Sequence, residues 1–129
     1  MSYSNPDIVT YTLPAVDFGT GGLITAIKAP AGYENGRILD VGCRITETFA
    51  CDATPGSVSI GTSGDADAYA KLNIADAAAD TNFFNTQDDS DAIIDADVTE
   101  TQLEVVCAVG VDAGTEAGIG DVVIVIGWF

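Results

Sequence analysis

Two stretches of this chain carry carboxylates at a spacing that could hold a hard cation, Asp65-Ala66-Asp67 and Asp88-Asp89-Ser90-Asp91. Calcium sites in loops use oxygen ligands at alternate positions, which makes Asp65, Asp67, Asp88, Asp89 and Asp91 the calcium candidates. Neither stretch follows the helix-loop-helix pattern, because no Glu closes the loop at the required offset. The same residues also serve as solvated loop acids, with Asp65 and Asp67 shaping a turn through side-chain to backbone bonds. A second chemistry is stacking on sugar rings by Tyr11, Tyr33, Tyr69 and Trp128. Against it stands the usual place of strand aromatics, in a core or an interface.

Catalysis has little to work with. The chain has no histidine, so neither a nucleophile triad nor a histidine metal cluster can form. Its three cysteines, Cys43, Cys51 and Cys107, include no Cys-x-x-Cys pair. Cys43 and Cys107 sit among Val and Ile and read as small buried hydrophobes, while spacing alone leaves a Cys43 to Cys51 bridge open. The glycine-rich Asp17 to Gly22 lacks the Lys-Ser/Thr pair of a phosphate loop and reads as a turn. No catalytic residue, no cofactor and no enzymatic activity are expected.

Twenty Asp and Glu stand against Lys28, Arg37, Arg44 and Lys71, a formal charge of −16. Binding to a phosphate backbone needs clustered cations, and these four are scattered, so no nucleic acid is expected as a partner. An anionic membrane would repel the chain, and no apolar run is long enough to span one as a helix. Hydrophobic residues make up 47% of the chain, which rules out charge-driven disorder. The acidity therefore serves colloidal repulsion at high local density, or docking on a basic partner.

The elements that must position these residues are strands. Alternation of apolar and polar residues marks Ile8 to Leu13, which Pro14 should end, and Leu23 to Ala29. It recurs from Arg37 to Phe49, where Leu39, Val41, Cys43 and Ile45 share one face. Ala53-Thr54-Pro55-Gly56 supplies a turn, Val58 and Ile60 return on one face, and the pair reads as a β-hairpin. Gly61 to Asp65 is a polar loop leading into a strand that ends near Ile74, with one helical turn expected over Ala75 to Ala79. Asp80 to Asp91 reads as a loop interrupted by Phe83 and Phe84. Strands are expected at Ala92 to Val98, Gln102 to Val111 and Asp121 to Phe129. The last is apolar on both faces, which reads as a central strand or one covered by another subunit.

Eight strands and no strong helix define an all-β fold, an eight-stranded β-sandwich with jelly-roll connectivity. One domain spans residues 8–129, preceded by an arm over residues 1–7. The short polar Met1 to Asp7 does not read as a secretory signal, so reduced thiols and synthesis in a cytoplasm are expected. Tyr3 and Pro6 on the arm, with Trp128 and Phe129 near the other end, are the interface candidates, the last two because large rings on an edge would expose apolar area.

The stretches RILDVGCRITETF (37–49) and GSVSIGTSGDADAYA (56–70) resemble small structural proteins of tailed bacteriophages, in particular capsid decoration (cement) proteins and related head accessory proteins with jelly-roll domains. The resemblance covers about Leu23 to Ile74 and, more loosely, the terminal strand. It implies a β-sandwich that forms a homotrimer at capsid three-fold positions and ties neighbouring major capsid proteins together on the virion surface. It also implies an amino-terminal arm that reaches a neighbour. A carbohydrate- or receptor-binding module of a phage fibre or tail is the alternative function.

Overall fold

The computed structural model describes residues 7–18, 22–50, 56–62, 64–65, 67–74, 83–85, 93–94, 105–110 and 117–129. Among these no residue is helical and every strand pairing is antiparallel. The strands are β1 (Asp7–Asp17), β2 (Gly22–Ile27), β3 (Gly36–Ala50), β4 (Gly56–Gly61), β5 (Ala70–Ile74), β6 (Phe83–Asn85), β7 (Ile93–Ile94), β8 (Val105–Gly110) and β9 (Ala117–Trp128). They form a four-stranded sheet in the order β1-β9-β3-β6 and a five-stranded sheet in the order β2-β8-β4-β5-β7.

The period-two pattern explains the core. Val41, Cys43 and Ile45 on β3 and Val122, Ile124, Ile126 and Trp128 on β9 are fully buried. From the other sheet, Val58 and Ile60 on β4 and Ala70, Leu72 and Ile74 on β5 join them in one cluster. Val9, Tyr11 and Leu13 on β1 are half-buried against it. Each large aliphatic buried this way contributes about 1.5–3 kcal/mol, so the shared cluster outweighs any local preference in holding the sheets together.

Several expectations need correcting. The expected hairpin of β3 with β4 does not form: β3 pairs with β9 and β6, whereas β4 pairs with β8 and β5. Turn residues fix a reversal of direction, and a strand passing from one sheet to the other needs that reversal as much as a hairpin does. The hairpin is β4 with β5, in unbroken register from Gly56↔Ile74 to Ile60↔Ala70 and closed by Tyr69 N–H donating to the Ile60 carbonyl at 2.9 Å.

Pro14 does not end β1. The strand continues to Asp17 across a register shift between Leu13 and Val16, with Ala15 at φ 52°. Its N–H is satisfied at 2.9 Å by Asp121 Oδ1, which anchors the bulge. Leu39 does not share the face of Val41. The register of β3 with β9 shifts between Ile38 and Asp40, so Ile38 is buried and Leu39 is 44% exposed. A bulge inserts one residue and flips the alternation beyond it.

The segment around Phe83 and Phe84, expected as loop, contains β6 against β3. Of the strand expected at Ala92 to Val98, Ile93–Ile94 is observed, and the helical turn expected over Ala75 to Ala79 lies outside the described residues.

Candidate functional site

Side chains on the four-stranded sheet sort into two faces by register. The inward face is closed by rings seated on glycines. Trp128 lies over Gly36, where an added Cβ would come within 2.6 Å of its Cε3, and Trp128 Nε1–H donates to the Tyr11 hydroxyl at 2.9 Å. Phe49 covers Gly118, whose φ of +151° and 2.6 Å approach to Cγ both favour glycine. Phe49 also packs on Phe18, with centroids 4.8 Å apart and planes tilted 56°. Cys43 Sγ fills the space above Gly120. Burial pushes this free thiol up from 9.0 to about 12, and the negative charge of Asp121 adds to the shift. It is a packed hydrophobe and a poor nucleophile, and because it is free the Cys43 to Cys51 bridge is not formed.

The outward face is read from cross-strand partners. Ile8, Gly127 and Arg37 stand in one row and Thr10, Val125 and Asp40 in the next. Thr12, Val123 and Gly42 follow, then Asp121 with Arg44, whose other partner is Phe83. The ring of Phe83 lies over Gly42, where a Cβ would collide with it. Asp17, Ile119 and Glu47 form an acidic row at one end. Near it the Thr46 hydroxyl donates to the Ile119 carbonyl at 3.0 Å, satisfying backbone that the bulge frees. Ile8 is 62% and Phe83 48% exposed, and Val123 and Val125 are half-buried. Antiparallel sheets with one wet face usually alternate apolar and polar residues. Here β9 is aliphatic on both.

The interface candidates divide. Trp128 is buried within its own chain, so of the terminal pair only Phe129, 47% exposed, presents area to another molecule. Reciprocal backbone bonds with Asn35, at 3.0 and 2.9 Å, hold Phe129 in place. Tyr3 and Pro6 lie outside the described residues.

The four rings considered for sugar stacking do not form a platform. Trp128 and Tyr69 are buried, and Tyr11 and Tyr33 are half-buried against the core.

Among the calcium candidates, Asp65 is exposed and Asp67 half-buried. The Thr62 hydroxyl accepts from Asp65 N–H at 3.1 Å, and the Asp65 carbonyl accepts from Thr62 N–H at 2.8 Å and Ala68 N–H at 3.3 Å. Asp65 thus shapes this turn through its backbone. Among the described residues no three His, Cys, Asp or Glu side chains gather where they could hold a metal ion. Asp88, Asp89 and Asp91 lie outside the described residues, as do Cys51 and the side chain of Cys107.

Sequence reasoning overlooked Ile8, Leu39 and Phe83 as surface residues. The signals were present in β9, aliphatic on both faces, and in two adjacent Phe residues within a polar stretch. Comparison of the chain with family models, curated proteins and solved structures found no match.

Proposed function

We propose that the chain is a viral structural protein, a capsid decoration (cement) protein of a tailed bacteriophage. It binds the assembled head at the virion surface and stabilises contacts between major capsid proteins, as a homotrimer of jelly-roll subunits. The observation that carries the reading is the pairing order of the strands. In a jelly roll an antiparallel ribbon is wrapped so that its four strand pairs divide between two sheets. The ribbon pairs first with last, second with seventh, third with sixth and fourth with fifth. With the two-residue β7 set aside, the pairing of β1 with β9, β2 with β8, β3 with β6 and β4 with β5 supports such a wrapping.

A fold does not by itself define a function. The further support is chemical. A chain without histidine, at −16 formal charge, is suited to be a rigid block that stays dispersed until many weak contacts act together. Cement binding rewards the assembled lattice because each copy spans subunits that are neighbours only there.

The test is to mix the purified protein with undecorated, expanded heads of the virus that encodes it. Saturable binding with a raised disruption temperature is expected. Equal binding to unassembled capsid protein, or none to heads, would overturn the reading.

A further inference from the structure

We propose that the outward face of the four-stranded sheet, centred on Val123 and Val125, packs against a second copy of this chain. Two observations converge on it. The first is patterning: β9 lies between β1 and β3 and is aliphatic outward as well as inward, and exposed Ile8, Leu39 and Phe83 extend the apolar area onto its neighbours. An apolar face on a soluble domain marks a contact surface.

The second observation is charge, and it selects the occupant. The four rows from Ile8 to Arg44 carry two of the chain's four cations, Arg37 and Arg44, with Asp40 and Asp121. Their formal charges sum to zero on a molecule at −16. A partner recognised through acidity would dock on acid-rich surface. A second, equally acidic copy meets least repulsion on a neutral strip, and a strip holding both signs can complement itself. Repulsion between the remaining acids is screened by salt, whereas apolar contact is not weakened by it. Self-association through this face therefore tightens as salt is added. Contact between the same face on two copies is a two-fold pair, whereas a three-fold ring would set this face against a different surface of its neighbour.

The inference rests on the building-block reading only for the expectation that copies meet, and it is tested in free solution without heads, so its failure and a failure of head binding are separate results. Sedimentation equilibrium of the full chain at about 20 mM and about 500 mM salt measures both association and its direction with ionic strength. The Ile8→Asp/Leu39→Asp double variant changes exposed positions and should fold. It is expected to weaken association by about a hundredfold or more, since each copy would bring two unpaired charges into the contact.

Val125→Asp should do the same, with circular dichroism confirming the fold. Ser59→Asp on β4 of the other sheet should change association by less than about threefold. A monomer at about 100 μM in high salt, an oligomer unaffected by both the double variant and Val125→Asp, or an oligomer that loosens as salt rises would each overturn the proposal.

Discussion

The two sheets solve the same packing problem with different means. In the five-stranded sheet β4 and β5 run in unbroken register, and half-buried Ser59, Lys71 and Asn73 alternate with their buried residues, while Ser57 is itself buried. In the four-stranded sheet β3 and β9 shift register three times. Rings or a thiol sit on Gly36, Gly42, Gly118 and Gly120, and the wet face is largely aliphatic, Thr and Gly. The first sheet is regular in this pair, with one register shift between β2 and β8 at Leu23 and Thr25, and Ser59, Lys71 and Asn73 suit water. The second is shaped residue by residue, and local rules broken together in one region mark where function is to be sought.

The sharpest way to break this contrast is Trp128→Ala. It removes a fully buried ring, its bond to Tyr11 and the cover of Gly36, so a loss of about 3–5 kcal/mol is expected in urea unfolding. Gly118→Ala should follow at about 2–3 kcal/mol, because the new Cβ meets Phe49 and the backbone is in a region where side chains are strained.

The thiol of Cys43 gives a pH signature. Its folded pKa is raised to about 12 from 9.0, so its contribution is complete below pH 9 and is lost as pH rises toward 12. Unfolding free energy should fall over that window with a slope approaching about 1.4 kcal/mol per pH unit, and Cys43→Ala should flatten it.

Gly42→Ala should cost about 1–2 kcal/mol, and Phe83→Ala in the same chain should recover part of it, a coupling that a double-mutant cycle reads. In the five-stranded sheet Ile60→Val should cost about 0.5–1.5 kcal/mol, the ordinary value for one buried methyl group. Ser59→Thr should stay within about 0.5 kcal/mol. If the changes in the five-stranded sheet matched those at Gly118 and Gly42, the contrast would be lost.

Much of this fold was legible as alternation. Val41, Cys43 and Ile45, Val58 and Ile60, and Leu72 and Ile74 were expected on single faces and are buried there. The central place of β9 followed from its aliphatic character. What the alternation could not carry was partnership. Pro55-Gly56 announces a reversal without saying whether the next strand lies beside the last or in the other sheet, and the bulges at Leu39 and Ala15 depend on partners distant in sequence. The face around Val123 was half legible: β9 advertised two apolar sides, but Leu39 became exposed only through a register shift, and Phe83 only by pairing with β3. Trp128, an interface candidate, is buried in its own chain instead, because sequence does not show that Gly36 and Tyr11 form its seat.

The kink at Ala15 bears on what the edge of β1 offers to another strand. β1 lies at the margin of its sheet, and a long straight margin strand is a template on which further chains can stack without limit. Beyond Leu13 the path bends, Pro14 offers no donor, and the Ala15 amide is already taken by Asp121. On β1 the straight portion before the bend is what remains to recruit another strand, which shortens the template this edge offers.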